Sequence, residues 1–258
     1  MSQYIKYAKY YDLFYDSKSY DEEAAYLAKQ IECHIDPPGS GGLSLLEFGC
    51  GTGRHAVKLA KMGCKVSGVD LSVDMILAAN ARVTPALKEN LKFLVGDAKV
   101  CVLAREFDVV LANFHVASYQ IKNSEIRKFV SNAANHIRRQ GLYIFDFWYA
   151  PGVLSTLPEK RTRTYEDDQI KITRHASPRL IEYENLVEVT YFVNVYEKSS
   201  DSHEDFSETH KMRYFSIPEI KWILEAAGLK ILEAAESFSK SPPRLDTWSV
   251  TIVAKKSS

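Results

Sequence analysis

The feature that most constrains this chain is a glycine-rich turn that follows a buried apolar run. Residues 45–48 read Leu-Leu-Glu-Phe, and positions 49–53 read Gly-Cys-Gly-Thr-Gly. Glycines at alternate positions remove Cβ atoms where the backbone turns, so a ligand can lie against the main chain. A helix predicted from Arg54 offers its unpaired N–H groups and positive dipole end to the same ligand. The segment therefore predicts a site for a nucleotide-like cofactor at the edge of a parallel sheet.

Two acidic residues strengthen this interpretation over that of a glycine turn without a ligand. Residues 64–69 form a second apolar run that ends on Asp70, about 20 residues after the glycines, where a carboxylate can accept hydrogen bonds from ribose hydroxyls. A third run, residues 91–95, leads into Gly96, Asp97 and Ala98. Asp97 would stand at the carboxyl end of its strand, where it could face an adenine amino group.

The spacing of the glycines argues against a dinucleotide cofactor. The dinucleotide fingerprint is GxGxxG, whereas the third glycine here, Gly53, comes one residue early, and no second phosphate-binding loop follows. The three motifs E-F-G-C-G-T-G, V-D-L-S and G-D-A occur in the order found in class I S-adenosylmethionine (SAM)-dependent methyltransferases, which the chain resembles over most of its length. The resemblance implies S-adenosyl-L-methionine as cofactor and no metal. It also implies roles for Glu47 at the methionine end, Asp70 at the ribose and Asp97 at the adenine.

The predicted cofactor site extends beyond these three acids. We predict that the cofactor is bound by Tyr15, Tyr20, Glu47, Gly49, Cys50, Gly51, Gly53, Asp70, Leu71, Met75, Gly96, Asp97, Ala98 and Asn113.

The N-terminal segment is unusually rich in tyrosine. Residues 10–15 read Tyr-Tyr-Asp-Leu-Phe-Tyr, and Tyr20 follows. This segment resembles the opening of a subgroup of these enzymes, the nucleotide-linked amino-sugar N,N-dimethyltransferases. The resemblance implies that Tyr15 lies near the transferring methyl group and Tyr20 near the methionine carboxylate. For Tyr10, Tyr11 and Phe14, an aromatic helix face packed on the core is the preferred interpretation.

Two further residues are candidates for orienting and deprotonating the methyl acceptor, together with Tyr15. His115 follows the fourth predicted strand and can accept a proton near neutral pH. Asp146 and Trp148 end the fifth, where the resembled enzymes carry a carboxylate followed by aromatic residues. The alternatives are a packing histidine and a structural hydrogen-bond acceptor. Arg174 and Arg213 are considered as cations for a nucleotide diphosphate, but neither is assigned to the site.

Strand and helix patterns alternate through the first half of the chain, which indicates a parallel sheet covered on both faces. Strands are predicted at about 43–48, 64–69, 91–95, 107–113 and 141–147. Helices are predicted over 22–34, 54–62, 72–82 and 123–139, with Ser72 as an N-cap and Gly141 as the stop of the last helix.

The second half changes character and is rich in β-branched and aromatic residues. Five antiparallel strands are predicted at 161–165, 169–175, 180–188, 189–196 and 209–215, with a polar hairpin tip over 199–208. A helix capped by Ser216 and two final strands, 229–235 and 248–254, follow. We therefore predict an α/β, Rossmann-like, seven-stranded class I methyltransferase sheet with an inserted antiparallel β layer. Residues 1–150 and 216–258 would form the SAM-binding domain, and residues 151–215 a lid, substrate wall or dimerisation sheet.

Composition limits the partners of this chain. Lysine plus arginine and aspartate plus glutamate number 33 each, so no overall positive field attracts a nucleic acid. No apolar run approaches the roughly 18 residues of a membrane span, and no signal pattern opens the chain, so we expect a cytoplasmic protein without membrane contact. The four cysteines lack metal-binding spacing and are expected to be reduced.

Taken together, these patterns predict a SAM-dependent methyltransferase. The acceptor would be an amine or hydroxyl of a small molecule, with a nucleotide-linked amino sugar as the leading candidate, and the enzyme could be a homodimer. One alternative is an RNA- or protein-directed methyltransferase of the same fold, although the N-P-P-Y signature of nucleic-acid amino methyltransferases is missing after the fourth strand. Another is a regulatory subunit that binds SAM without catalysis.

Overall fold

The computed structural model describes residues 5–35 and 42–257. The helices are α1 (Ile5–Phe14), α2 (Tyr20–His34), α3 (Arg54–Lys61), α4 (Val73–Asn80), α5 (Asn123–His136), α6 (Ala150–Ser155) and α7 (Ile217–Ala226). The strands are β1 (Ser44–Phe48), β2 (Lys65–Asp70), β3 (Leu91–Val95), β4 (Phe107–Ala112), β5 (Ile137–Tyr149), β6 (Arg161–Glu166), β7 (Ile170–Ile181), β8 (Leu186–Glu197), β9 (Ser202–Phe215), β10 (Leu229–Glu236) and β11 (Ser249–Lys256). Short 3-10 turns occupy Pro85–Leu87, Val116–Tyr119 and Glu182–Glu184.

Seven strands form a central sheet in the order β3-β2-β1-β4-β5-β11-β10. Strands β1 to β5 are parallel, and β11 is antiparallel to both of its neighbours. The predicted Rossmann-like, seven-stranded α/β fold is confirmed. The chain reverses its direction of strand addition between β1 and β4, and ligands of open α/β sheets bind outside the strand ends at such a point.

Both faces of the central sheet are buried, because neighbouring residues on each strand contribute to opposite cores. On one face Phe48, Phe129 and Tyr143 pack with α5 and α7. On the other face Leu45 and Ile144 pack with α2, α3 and α4. This double burial explains why the strands read as continuous apolar runs rather than as alternating ones.

The second half of the chain adds an antiparallel layer to the end of β5. Trp148 and Tyr149 of β5 pair in parallel with Tyr214 and Phe215 of β9. From there the strands continue in the order β9-β8-β7-β6, each antiparallel to the next. Helix α1 packs on this layer through Tyr10 and Phe14, so the N-terminal segment and the inserted strands meet.

The structure corrects the predicted end of α5. That helix ends at His136, and the following residues already belong to β5, so Gly141 is not a helix stop. Gly141 lies where the pairing of β4 with β5 shifts register, next to Gln140 with φ +61°. A Cβ at position 141 would lie 2.7 Å from the Asp108 carbonyl oxygen. The glycine is therefore required by a bulge, and Arg138 leaves the helix to pair with Asp108.

The inserted layer contains four strands instead of the five predicted. The predicted strand 180–188 is interrupted by the 3-10 turn Glu182–Glu184 and by Asn185, whose φ is +55°. The predicted polar tip 199–208 is mostly strand, since β9 already begins at Ser202. Cross-strand contacts such as the stacking of Tyr196 on His203, 4.9 Å between ring centroids, hold these polar residues in the sheet. The prediction of a turn over 199–208 was therefore wrong, because it rested on the polarity of these residues alone.

Two predicted helix openings are confirmed. The Ser72 hydroxyl accepts a hydrogen bond from the Met75 N–H, and the Ser216 hydroxyl accepts one from the Glu219 N–H. Both caps satisfy backbone donors that the first turn leaves unpaired. Within residues 5–35 and 42–257, no helix is long and apolar enough to cross a membrane.

Candidate active site

A cavity of about 480 Å³ lies at the carboxyl edge of the central sheet, below α1 and the inserted layer. Its size falls in the range of small-molecule sites. Most of the residues predicted for the cofactor and the acceptor line it: Tyr15, Tyr20, Glu47, Gly49, Cys50, Gly51, Asp70, Leu71, Met75, Gly96, Asp97, Ala98, Asn113 and His115. Gly53 and Asp146 lie outside this lining. The roles predicted for these residues remain predictions.

The glycine turn provides an open cradle for a ligand. Gly49 and Gly51 have φ values of +64° and +54°, which L side chains rarely adopt. A Cβ at Gly49 would lie 2.5 Å from the Val116 side chain, so this glycine is needed for packing. A Cβ at Gly51 would meet only Tyr11 Cε1, at 3.9 Å, so protein atoms do not crowd the backbone there. This is the close main-chain approach that a nucleoside-containing cofactor requires.

Asp70 connects the turn to the end of β2. Its carboxylate accepts hydrogen bonds from the Gly51 N–H at 2.8 Å and the Ser72 N–H at 2.9 Å. Burial raises the pKa of Asp70, and these backbone donors oppose that rise. Asp97 is held similarly, since its carboxylate accepts from the Lys99 N–H at 2.9 Å. Both carboxylates line the cavity with fixed orientations, which fits the ribose and adenine roles predicted for them.

Glu47 is a buried carboxyl group at the cavity wall. Its residue is 2% exposed, and burial raises its pKa to about 8. Among the described residues, its Oε2 atom has no hydrogen-bond partner, and neither does Nδ2 of Asn113 in the same cavity. Buried polar atoms are normally satisfied. Two such atoms in one cavity fit a polar ligand, and Glu47 in particular fits a ligand ammonium group.

A charged network behind Glu47 was not recognised from the sequence. Glu23 of α2 lies 2.6 Å from His55 Nε2 and 2.9 Å from Lys18 Nζ. Burial raises the pKa of Glu23, but these two partners outweigh it and lower the pKa overall. Burial lowers the pKa of Lys18, whose ammonium lies 3.7 Å from the Phe114 ring centroid. The residues come from three elements, so no sequence spacing indicates the cluster.

Helix α1 closes the cavity from above. The Asp12 carboxylate accepts a hydrogen bond from Thr52 Oγ1 at 2.8 Å and pairs with Arg82. After the helix, the Tyr15 ring lies 4.9 Å from the Phe114 ring, edge to face. Asp12 therefore links the aromatic segment of residues 10–15 directly to the glycine turn.

Tyr20 and Arg54 form the neighbouring part of the wall. The guanidinium of Arg54 lies 4.1 Å from the Tyr20 ring centroid, and burial raises the pKa of Tyr20 well above its usual range. Arg54 opens α3, directly after the glycine turn, so it places a cation at this end of the cavity. An arginine and a phenol side by side suit the carboxylate of a ligand.

His115 and Asp146 form a pair at the end of β4 and β5. The His115 N–H donates to Asp146 Oδ1 at 2.7 Å, and His115 Nε2 lies 2.9 Å from Ser249 Oγ and 3.6 Å from Asp146 Oδ2. Burial lowers the pKa of His115 although the Asp146 charge opposes this, so the imidazole is neutral near pH 7. Phe114 and His115 both have φ values near +65°. Non-glycine residues in this region store strain, which concentrates at functional sites.

The far wall of the cavity comes from residues that the sequence reasoning missed. Tyr119 ends the 3-10 turn after β4, Tyr191 lies on β8, and His210 on β9. His210 Nδ1 lies 3.0 Å from the Tyr119 hydroxyl, and its Nε2 lies 3.4 Å from Glu208 Oε2. In the sequence His210 is one polar residue in an alternating strand. Only the folding of the inserted layer over the central sheet brings it to the cavity.

The two arginines considered for a diphosphate lie outside the cavity lining. Arg174 is 9% exposed and donates a hydrogen bond to the Tyr165 hydroxyl at 2.6 Å. Arg213 pairs with Glu219 of α7 at 2.6 Å. Arg174 also lies 4.7 Å from the Phe14 ring centroid, so it links the inserted layer to α1. Arg213 links the same layer to α7 through Glu219.

Comparisons with known proteins agree with this architecture. Residues 45–141 match a family model described as a methyltransferase domain. The dTDP-3-amino-3,6-dideoxy-alpha-D-glucopyranose N,N-dimethyltransferase of Streptomyces fradiae is 28% identical over 226 residues, which cover 87% of this chain and 84% of the relative. An S-adenosylmethionine-dependent methyltransferase from Clostridium acetobutylicum has the same fold, with a TM-score of 0.80 over all of both chains at 20% identity. Streptomyces venezuelae DesVI gives a TM-score of 0.78 at 22% identity, covering 98% of this chain and 99% of that one.

Proposed function

Because the chain is a class I methyltransferase that uses S-adenosylmethionine as its methyl donor, we propose that its acceptor is the amine of a nucleotide-linked amino sugar. The sequence alone left an amine and a hydroxyl open. The Streptomyces fradiae relative is named for a dTDP-linked amino sugar, which supports the amine. The observation that carries the proposal is that Tyr119, Tyr191 and His210, which pairs with Glu208, line the same cavity as the glycine turn.

The cofactor would be held by the chain's own rigid groups. Asp70 would accept from the ribose hydroxyls and Asp97 from the adenine amino group, while Gly51 leaves room for the nucleoside. Glu47 would bind the methionine ammonium, and Arg54 with Tyr20 its carboxylate. When bound, SAM supplies a methyl group on a positively charged sulfur, which is a strong electrophile. The protein needs no metal for this chemistry.

The remaining task of the site is to hold the acceptor in line and keep water out. Placing two reacting groups correctly can lower a barrier by on the order of 7–11 kcal/mol. Tyr15, His115 and Asp146 are proposed to orient the acceptor, with Trp148 contributing an aromatic surface that suits a sugar ring and a nearby cation. An amine must also lose a proton before its lone pair is available. His115 is one of three histidines in the cavity lining, with His55 and His210, and it is a candidate to accept this proton.

We also propose an assembly and a location. Strand β6 ends the inserted layer, and five of its six residues are exposed. An exposed edge strand can pair with the same strand of a second copy, so we propose a homodimer joined through β6.

The four free cysteines, with Cys33 exposed, support a reducing compartment such as the cytoplasm.

Calorimetric titration tests the proposed acceptor class. S-adenosylhomocysteine is titrated first, and then dTDP-linked amino sugars are titrated into the nucleoside-bound enzyme. We expect S-adenosylhomocysteine to bind with micromolar affinity and a dTDP-linked amino sugar to bind in addition. The matched dTDP-sugar with a hydroxyl in place of the amine should bind more weakly. Equal binding of amine and hydroxyl forms, or of neither, would contradict the proposal. An affinity for RNA that falls steeply with salt would favour the RNA-directed alternative instead.

A further inference from the structure

Three histidines line the cavity, and their surroundings differ. His55 is paired with Glu23 at 2.6 Å. His115 lies against the central sheet, where Nε2 contacts Ser249 Oγ and its own backbone N–H is held by Asp146. His210 lies on β9 in the opposite wall and is 7% exposed. The contacts of His115 fix the position of the loop after β4. The contacts of His210 instead form a short chain of hydrogen-bonding groups that begins at the cavity.

This chain consists of Tyr119, His210 and Glu208. His210 Nδ1 lies 3.0 Å from the Tyr119 hydroxyl, and Nε2 lies 3.4 Å from Glu208 Oε2. A carboxylate can only accept, so Glu208 favours the tautomer with its hydrogen on Nε2. Nδ1 then carries a lone pair that faces the Tyr119 O–H. Tyr119 can therefore donate to His210 while its oxygen accepts from a molecule in the cavity that it lines.

Neighbouring groups hold the imidazole in this orientation. Tyr191 of β8 meets the His210 ring edge to face at 5.1 Å between centroids, and burial raises the pKa of Tyr191 to about 12, so it stays a neutral wall. Lys211 follows His210 in the strand and lies 3.2 Å from Glu188. Glu208 Oε2 lies 3.4 Å from Nε2 of His210, so this carboxylate can stabilise an imidazolium at position 210.

We propose that Tyr119 accepts a proton from the acceptor amine and passes its own hydroxyl proton to His210, with Glu208 stabilising the resulting imidazolium. The N–H bond of the protonated amine breaks and leaves its electron pair on nitrogen. That proton forms an O–H bond on Tyr119, while the former Tyr119 proton forms an N–H bond at Nδ1 of His210. No charge is created or lost, and no co-reactant is needed. Tyr119 is the catalytic residue of this path, and His210 and Glu208 act through it.

This proposal rests on the proposed amino-sugar function for its acceptor, but its hydrogen-bond arrangement can be tested without one. Protein labelled with 15N-histidine, with and without S-adenosylhomocysteine, reports the tautomer of each ring by NMR, and His210→Asn identifies the signals. We expect the hydrogen on Nε2 of His210, and Tyr119→Phe should shift the Nδ1 signal. A hydrogen on Nδ1 would overturn the proposal, because that nitrogen could not accept the Tyr119 proton.

The second test uses the pH dependence of turnover with an amino sugar that the enzyme methylates. Glu208→Gln should lower kcat by about tenfold or more, because a neutral amide cannot stabilise the imidazolium as a carboxylate does. His210→Asn should remove the acidic limb of the profile. His203→Asn, on the same strand but stacked on Tyr196 outside the cavity, is the matched control and should change neither.

His115→Asn separates the roles of His115 and His210. We expect it to raise KM and keep the acidic limb, because it acts on acceptor position. Loss of the limb in His115→Asn, with the limb retained in His210→Asn, would overturn the proposal. If no amino sugar is methylated at all, the proposed function fails, and the tautomer of His210 still decides the hydrogen-bond arrangement on which the path depends.

Discussion

At the scale of single residues, Glu47 is a group that the protein alone does not satisfy, because its carboxyl is buried with one oxygen unpartnered among the described residues. Such an atom costs stability, and a ligand that binds it would offset this cost. Gly51 differs, because its N–H is bonded to Asp70. Its left-handed backbone without a Cβ leaves room for a ligand against the main chain.

The buried carboxyl of Glu47 should make the affinity for the cofactor depend on pH. Its pKa is raised from 4.5 to about 8 by burial, so the ligand-free protein carries it protonated at pH 7. The stability associated with this group is present below pH 4.5 and is lost as the pH rises towards 8. A ligand ammonium needs the ionised form. The affinity for S-adenosylhomocysteine should therefore rise by up to about tenfold per pH unit between 6 and 8.

Calorimetry across this pH range checks the prediction. Glu47→Gln should show a weaker affinity with little pH dependence, while remaining folded. A wild-type affinity that stays constant from pH 6 to 8 would mean that Glu47 does not bind the cofactor ammonium.

Substitution of Gly51 should lower cofactor affinity as well as stability, whereas a matched glycine elsewhere should affect stability alone. Gly51→Ala should cost about 1–2 kcal/mol of unfolding free energy from its φ of +54°, and should also weaken S-adenosylhomocysteine binding by more than about tenfold, because a methyl group would occupy the cradle. Gly228→Ala is the matched control. Its φ is +74° with no atom within 4 Å, so it should lose similar stability and keep its affinity. Equal affinities in the two variants, measured by calorimetry, would remove the turn from the cofactor site.

At the scale of elements, α1 is a separate cover that is attached at its two sides. Asp12 links it to Thr52 in the glycine turn and to Arg82 after α4, and Phe14 with Tyr10 packs on the inserted layer. The cover thus depends on both halves of the chain. Loosening it should change how fast a bound ligand leaves more than how the protein folds.

Asp12→Ala tests this view of α1. The pair with Arg82 is partly exposed, so its loss should be worth up to about 1 kcal/mol and speed S-adenosylhomocysteine dissociation by up to about fivefold, measured by stopped flow. Glu22→Ala, at an exposed position on α2, should leave the rate unchanged. An unchanged rate in Asp12→Ala would show that α1 does not retain the ligand.

The predicted and observed boundaries of helices and strands show which parts of the fold local sequence patterns can predict. The strand β1, the glycine turn and the helix α3 were predicted well because each is local, and their signals lie within ten residues. Gly141 was mistaken for a helix stop because its reason is the Asp108 carbonyl of a neighbouring strand, which is distant in sequence. The turn at Glu182–Asn185 was missed because its cross-strand partners, not its polarity, decide where β7 ends.

At the scale of the whole molecule, the cavity wall with Tyr119 and His210 forms only after the inserted layer has packed against the central sheet. Tyr119 and His210 are 91 residues apart in the chain, and they touch because β9 pairs with the end of β5. No spacing or motif indicates such a contact. The fold could therefore be predicted in outline, and most residues predicted for the cofactor do line the cavity, although their roles stay predictions. The wall with Tyr119, Tyr191 and His210 could not be predicted.

The most direct measurement of the central claim is turnover followed by mass spectrometry. The enzyme, SAM and a dTDP-linked amino sugar are incubated together, with the corresponding hydroxyl sugar as the matched substrate. The account predicts S-adenosylhomocysteine and a sugar heavier by one or two methyl groups in the first reaction, and no methylated sugar in the second. Tight cofactor binding without methylation of any amino sugar, or methylation of the hydroxyl form alone, would contradict it.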